Sequence, residues 1–533
     1  MNEPKFKPKV PEIPEAEQTP LVRALMRIIG QQQEWIEHLE DEIRELKGGP
    51  RKPRLKPSAL ENEASRGSGE DPEGEEKQNK RPRGKPRRSK TEQLPIHETK
   101  SVEASGVPEG SQFKGYRRYV VQDLEVQVHN TCFWLEQWQT PTGEYVGAEV
   151  PLAVAGGHFG PTLVGFVVYQ YHHNHVTQPL LLEQLRELGI EISSGQLNRL
   201  LVEDQEIFHE EKAQLKAAGL EVSSYVQTDD TGARHQGRNG YCTYLGNAYF
   251  AWFESTESKS RINFLECLQP ERRYVINAAV LTYMAERGLA ECHCQVLAAR
   301  GAVDFATELQ WQVHLSACGV IGQRAVVVAT EGALLGGLLA QGISEQLGVV
   351  SDGAKQFAIL VHALCWVHAE RTFAQLIALN ETERRALKWV RGRIWELYDE
   401  LKAYRGEPSG ALKAVIEAGF EALCATETVC EPLNQALHRF HEDKADLLRV
   451  LERPELPLHN NLSESDIREY AKKRKISGST RSDEGRRCRD TFASLKKTCR
   501  KHGVSFWRYL KDRLCGTGLI PPLADLIRQA AKA

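Results

Sequence analysis

The segment from Gly48 to Gln112 most constrains what this chain can fold into. It is rich in Lys, Arg, Glu, Pro, Ser and Gly and nearly devoid of large apolar side chains. Such a stretch buries too little apolar surface to offset the entropy of ordering it. It therefore belongs to no core, and it separates a short N-terminal arm from a large body beginning near Phe113. Within it, "KQNKRPRGKPRRSK" (Lys77 to Lys90) is either a basic tether that touches phosphate or a solvated linker.

The arm carries a heptad pattern from Leu21 to Lys47. Val22, Ile29, Ile36 and Ile43 fall at a, and Leu25, Gln32, Leu39 and Leu46 at d. β-Branched a positions with Leu at d favour a parallel two-stranded coiled coil, and Gln32 in the seam sets register at some cost in stability. The alternative is an amphipathic helix packed on its own chain. The extreme N-terminus, "MNEPKFKPKVPEIPEAEQ", is polar and Pro-rich, unlike a signal peptide. No stretch reads as long and apolar enough to span a bilayer.

The net charge of −3 over 533 residues excludes a chain that coats DNA along its whole surface, so any nucleic-acid surface is local. Twelve cysteines without a CxxC pair suit reduced thiols and a cytoplasmic setting. "ECHC" places Cys292, His293 and Cys294 side by side, but adjacent residues alone rarely make a metal site.

From Phe113 to Pro151 the pattern turns to alternation, and "YRRYVVQDLEVQVHN" and "GEYVGAEVPL" read as short strands of a small β module. "HVTQPLLLEQLRELGIEISSGQLNRLLVEDQ" then reads as two helices. Thr177 and Pro179 start the first, Gly189 ends it, and Ser193 caps the second. Leucines at 181, 182, 185, 188, 197, 200 and 201 give both an apolar face. The pair fits a DNA-binding helix-turn-helix or an ordinary helical hairpin. In the former case Gln196, Asn198 and Arg199 are its polar readers.

"EVSSYVQTDDTGARHQGRNGYCTYLGNAYFAWFEST" reads as strand, turn, strand, with Asp229 and Asp230 ending the first strand on opposite faces. "LGVVSDGAKQF" is a buried strand ending in Asp352, at the rim where α/β sheets place their sites. Each aspartate alone also fits a turn. "LPLHNNLSESDIREYAKKRKISG" sets Glu464 ahead of the run Lys472, Lys473, Arg474, Lys475, which suits DNA phosphates. Glu464 and Arg468, four apart, also fit a surface helix pair worth about half a kcal/mol or less. Two strand-end aspartates plus a helical glutamate make three hard oxygen ligands of the kind Mg2+ prefers. Their side chains should then converge within roughly 4–7 Å to share two ions.

"HNNLSESDIREYAKKRK" resembles the C-terminal signature of the insertion sequence 66 family of bacterial transposases, through Asn460, Asn461, Glu464, Ile467, Arg468, Arg474 and Lys475. "GSTRSDEGRRCRDTFASLKKTCRKHGVSFWRYL" continues it. "QTDDTGA" is similar to the family's first-acid motif and selects Asp229, with Asp230 in the glutamate place. "VVSDGAKQF" is similar to the second and selects Asp352, and "LCWVHAERTF" resembles its Cys-Trp-x-His segment at Cys365, Trp366 and His368. These four motifs span Val222 to Leu514. Three features depart from the family: the 113–157 region offers only Cys132 where a zinc module is usual, Glu370 replaces a basic residue, and the gap from Asp229 to Asp352 is long.

The resemblance implies an α/β multidomain chain with an RNase H-like catalytic core, a mixed sheet flanked by helices. The core comprises 221–268, 343–371 and 456–533. An inserted subdomain (269–342) with a strand at "QRAVVVAT" and a helical insertion (372–455) interrupt it. A coiled-coil arm (1–47), a disordered linker (48–112), a β module without zinc (113–157) and a helix-turn-helix (158–220) precede it. It implies two-metal DDE chemistry with two Mg2+, or Mn2+ in their place, held by Asp229, Asp352 and Glu464, with Asp229 bridging. Arg468, Lys472, Lys473, Arg474 and Lys475 would grip DNA backbone, and Trp366 and His368 would contact a DNA end or pack. The partners implied are terminal inverted repeats, target DNA and a second copy through the coiled coil, with or without helper proteins, at a bacterial nucleoid and away from membranes. A transposase-derived protein that only binds DNA, and a nuclease that cuts without joining, are the alternatives.

Overall fold

A computed structural model describes residues 94–150 and 157–532. The heptad helix and most of the charged linker lie outside the described residues, and the coiled-coil expectation with them. The chain divides into two units between Asp123 and Leu124. The described part of the first, 94–123, contains no helix or strand.

The second unit opens with an antiparallel hairpin of β1 (Gln137–Gln139) and β2 (Tyr145–Gly147), exposed throughout. The strand expected over Tyr116 to Asn130 does not form. Tyr119 and Val121 stay exposed there, and alternation without a face to bury does not make a strand.

Four helices follow: α1 (Pro161–Val168), α2 (Gln178–Glu187), α3 (Ser194–Val202) and α4 (Glu206–Val222). α1 runs into one π turn, Tyr169–His173. Between α2 and α3, Gly189 takes φ +84, and Ser193 and Gln196 form a reciprocal capping box. Leu181, Leu185, Leu197 and Leu201 close a small core with Val167 and Ile192, as their spacing requires.

The sheet that frames the site is β3 (Tyr225–Gly232), β4 (Tyr241–Gly246), β5 (Ala251–Thr256), β8 (Gly348–Ser351) and β9 (Val361–Leu364), in the order β5-β4-β3-β8-β9. β5, β4 and β3 pair antiparallel, while β3, β8 and β9 are parallel. The sheet is therefore mixed and needs long connections where it runs parallel.

The first connection begins with α5 (Arg261–Leu268) and holds β6 (Tyr274–Ile276), α6 (Ala278–Glu286), α7 (Glu291–Ala299), β7 (Val303–Phe305), α8 (Glu308–Ala317) and α9 (Gln323–Ala340). β6 and β7 pair as a separate small sheet. "QRAVVVAT" is therefore not a strand but the start of the 18-residue helix α9. Packing overrides the β-branched run. A Cβ at Gly336 or Gly337 would fall 2.1 Å from the carbonyl oxygens of Val275 and Arg273, so α9 lies directly against the β6 strand. Contrary to the sequence reading, α9 has the length and apolarity to cross a membrane, but 61% of it is buried. Glu331 at its centre pairs with Arg261 at 3.3 Å, which marks a core helix. Its side chains join those of α4, α5, α16 and α17 in one continuous apolar core.

After β9 come α10 (Trp366–Ala374), then α11 (Glu381–Gly406), α12 (Gly410–Cys424), α13 (Glu431–Glu442) and the short α14 (Lys444–Leu447), packed around a core of their own. The chain returns to the sheet through α15 (Asn461–Ser477), α16 (Asp483–Lys501), α17 (Phe506–Cys515) and α18 (Leu523–Lys532).

Candidate active site

Strand register sets the site. β3 and β8 pair Tyr225 with Gly348, Val226 with Val349 and Gln227 with Val350. Two residues further on stand Asp229, still within β3, and Asp352, in the turn just past the end of β8. Alternation puts Asp229 on the face of Tyr225 and Gln227, while Asp352 lies beyond the last strand residue of β8. Tyr225 and Val350 pack with Leu456, and Gln227 hydrogen-bonds the segment leading into α15: its Nε2 donates to the His459 carbonyl at 3.3 Å and its Oε1 accepts the Ser463 N–H at 3.3 Å. Asp229 therefore faces the helix that carries Glu464, and Asp352 lies close enough for its charge to act on Asp229. Asp230 faces the other way, where it accepts from Thr243 Oγ1 at 2.6 Å and Gln356 Nε2 at 3.0 Å.

The start of α15 is clamped to β3. Asn460, fully buried, donates its Nδ2 to the Thr228 carbonyl at 2.8 Å, one residue before Asp229. Its N–H donates to Cys365 Sγ at 3.2 Å, and Ser463 Oγ donates to its carbonyl at 2.8 Å. Glu464 then sits in the first turn, where the helix dipole favours a carboxylate.

Electrostatics identify the meeting of charges. Burial, then the negative charges of Asp352, Asp230 and Glu464, push Asp229 up to about 6 against the hydrogen bond it accepts from the Asp230 N–H. Glu464 Oε1 is buried without a hydrogen-bond partner. His368 Nε2 approaches it at 3.4 Å and Arg371 Nη2 at 4.0 Å, charge contacts without hydrogen-bond geometry. Arg468 pairs with Glu464 Oε2 at 3.4 Å, so the surface helix pair exists beside the site. Asp352 Oδ1 accepts the Ala354 N–H at 3.1 Å, so it is a turn residue as well. As the side chains stand, no group of three or more His, Cys, Asp or Glu among the described residues is gathered tightly enough to hold a metal ion. The close convergence expected of the three carboxylates is therefore not preformed. Their donor chemistry and the orphaned Glu464 oxygen fit a divalent cation, which would offset the burial and the neighbouring negative charges that raise Asp229.

The basic run divides by helical phase. Arg468, Lys472 and Lys475 are exposed, and with Glu464 they line one face at spacings of four, four and three. Lys473 points inward. It is 5% exposed, donates to the Tyr171 carbonyl at 2.7 Å and lies 3.4 Å over the Tyr171 ring. Burial, aided by Arg489 and Lys496, pulls it down to about 7. Arg474 Nη1 donates to the Gly232 carbonyl and, at 3.4 Å, to Thr231 Oγ1, tying α15 to the end of β3. The expectation that Lys473 grips DNA is corrected by its burial, and Arg474 is half-buried with its Nη1 spent on β3.

Trp366 is likewise corrected. It is 1% exposed in the helical core, and its indole N–H donates to the Leu447 carbonyl at 2.8 Å. His368 stays at the site. Glu370, the acidic departure, turns to the helical layer and pairs with Arg391 at 2.5 Å. On α3, Gln196 Oε1 accepts the Ser193 N–H in the cap, and Asn198 Oδ1 accepts from Gln178 Nε2 at 3.1 Å. Arg199 is exposed. Sequence reading missed the clamp of Gln227, Asn460 and Ser463. The signal for it was the asparagine pair immediately before the helix.

Residues 338–487 match the family model described as Transposase IS66 family. The match takes in Asp352 and Glu464 and leaves Asp229 outside. The chain is also 39% identical over 320 residues to an uncharacterized protein, y4jO, of Sinorhizobium fredii strain NGR234. That alignment spans 59% of this chain and 99% of the relative. With the matched domain enclosing the second and third carboxylates of the site, the chain belongs to the IS66 family of transposases.

Proposed function

We propose that this chain is a DNA transposase of the DDE type, built on an RNase H-like core. It binds the terminal inverted repeats of an insertion sequence, cleaves strands at the element ends and joins the freed 3′-hydroxyl to target DNA. The observation that carries the reading is Asp229 on β3 next to Asp352 at the end of the adjacent parallel strand, with the helix of Glu464 clamped to β3 by Asn460 and the charges of Asp352 and Glu464 both acting on Asp229.

Asp229, Asp352 and Glu464 would hold divalent cations, Mg2+ or Mn2+. Bound there, such ions activate an attacking oxygen and stabilise the leaving one. The chain's own residues supply position. Asn460 and Gln227 fix Glu464 relative to Asp229. Arg468, Lys472 and Lys475 hold the phosphates that flank the scissile bond, giving affinity without sequence information. His368, beside Glu464, would touch the DNA end. Reading of the repeats falls to the α2–α3 pair, chiefly through Arg199, and a second copy joined through Val22 to Leu46 pairs two ends.

The test is incubation of the full chain with labelled terminal-repeat DNA and Mg2+. Joined product is expected, at a rate reduced at least 100-fold by Glu464→Gln. Cut ends alone would make it a nuclease, and binding without cleavage an inactive relative. Cleavage undiminished in Glu464→Gln would refute the site.

A further inference from the structure

α15 ends at Ser477, and the loop that follows does not leave the sheet. It is stitched to the tip of the β3–β4 hairpin. Gln236 N–H donates to the Thr480 carbonyl at 2.7 Å, Thr480 N–H to the Arg234 carbonyl at 3.2 Å, and His235 Nδ1 lies 2.9 Å from Thr480 Oγ1. The tip is a tight two-residue turn. Gln236 and Gly237 both take positive φ, +49 and +77, the signature of a type I′ turn. His235 and Arg238 exchange both backbone hydrogen bonds, at 3.1 and 2.8 Å. An interior-facing purpose does not explain this hairpin, because Arg234, Gln236 and Arg238 are all exposed. Arg234 Nη2 also donates to the Gly237 carbonyl at 3.1 Å, which braces the turn with the guanidinium still at the surface.

The hairpin tip, tied to Thr480, therefore sets exposed Arg234 and Arg238 just beyond the last turn of α15. Glu464 stands at the head, Arg468, Lys472 and Lys475 follow along the helix, and Arg234 and Arg238 stand at its foot. From Glu464 to Lys475 the helix rises about 16 Å at 1.5 Å per residue. That is about five phosphate steps along one DNA strand at roughly 3.4 Å each. Of the acidic groups near the foot, Asp483 lies 3.1 Å from His235 Nε2 and 3.1 Å from Arg486, while Glu484 is exposed.

We propose that the tip of the β3–β4 hairpin is a phosphate clamp. Arg234 and Arg238 grip the backbone of duplex DNA about five or more nucleotides from the point at which Glu464 acts, and Arg468, Lys472 and Lys475 track the phosphates between. Placing that point at Glu464 rests on the reading of the site given above, whereas the clamp itself is tested by binding alone. The partner is double-stranded DNA of any sequence, because a rigid hairpin with two guanidinium groups reads charge spacing rather than base edges.

The experiment measures binding of the full chain to a fluorescein-labelled 30-base-pair duplex of mixed sequence across a potassium chloride series. Each phosphate contact contributes about 0.9 to the slope of log affinity against log salt. Arg234→Ala with Arg238→Ala is expected to lower that slope by about 1.8. Arg234→Lys with Arg238→Lys should keep it near the parent value. Arg384→Ala with Arg385→Ala, an equal charge loss on exposed α11, should leave it unchanged. An unchanged slope in the hairpin alanine pair would overturn the proposal. So would an equal loss in the lysine pair, which would mark a structural rather than an electrostatic role, or failure of the parent chain to bind the duplex at 50 mM salt. Binding as expected without cleavage would refute the transposase reading and leave the clamp standing.

Discussion

Lys472 and Lys473 are neighbours in one basic run, and the structure assigns them opposite physics. Lys472 is exposed on the face led by Glu464. Lys473 is buried, with its ammonium held by the Tyr171 carbonyl and ring. Its value falls from 10.5 to about 7. A base depressed in the folded state is charged in both states below pH 7, so the burial cost is fully present there. Between pH 7 and 10.5 the folded chain releases the proton first, the unfolded chain binds more, and stability rises with pH. A gap of this size corresponds to about 5 kcal/mol across that window. Lys473→Met keeps the length and removes the charge. The expected outcome is that the urea midpoint of the variant exceeds that of the parent most at pH 6, with the advantage shrinking steadily towards pH 10. The salt slope of DNA binding should stay unchanged, whereas Lys472→Met should lower it by about 0.9. If Lys473→Met lowered the slope as much as Lys472→Met, or if the stability difference did not vary with pH, the inward placement of Lys473 would be wrong.

Three further outcomes follow from the same geometry. Burial works to raise Glu469, but Lys496 and Lys497 outweigh it and hold it at about 2; its contribution should be present above pH 4.5 and drain away towards pH 2. Glu469→Gln takes the carboxylate partner from buried Lys496 and leaves Lys497 with Asp466 alone, and should cost about 3–5 kcal/mol at pH 7, read from urea unfolding. Trp366→Ala should cost about 3–5 kcal/mol through the cavity it leaves in the helical layer with no change in the salt slope of DNA binding, whereas a lost DNA contact would reverse that pattern. Asn460→Ala leaves the Thr228 carbonyl without its donor, about 1–3 kcal/mol. It should also raise the Mg2+ concentration giving half-maximal cleavage, because the tie between Glu464 and Asp229 is gone; an unchanged Mg2+ requirement would remove Asn460 from the site.

Local rules carried the helices furthest. The α2–α3 pair was legible because leucine spacing, Gly189 and Ser193 all agreed, and the structure has each in its expected place. α9 was misread because periodicity cannot separate a short β-branched run from a buried helix. What decides it is the backbone of Arg273 and Val275 lying against Gly337 and Gly336, a tertiary contact with no local signal. The strand expected over Tyr116 to Asn130 failed for the opposite reason: its alternation was real, but Tyr119 and Val121 lack a face to cover them.

The carboxylates could be found in the sequence, but what brings their charges near one another could not. Strand parity separates Asp229 from Asp230 only once the pairing of Gln227 with Val350 is known. Helical phase separates Lys472 and Lys475 from Lys473 and Arg474 only once Glu464 is known to face β3. The buried amide of Asn460 joins the residue before the first carboxylate to the helix of the third. A charge count across Lys472 to Lys475 treats four cations as one surface. The structure uses two of them to hold α15 in place, Lys473 on Tyr171 and Arg474 on the end of β3, and leaves two facing outward. The basic run is thus partly what fixes the acidic head of the helix, so the juxtaposition of Glu464 with four cations is mechanical as well as electrostatic.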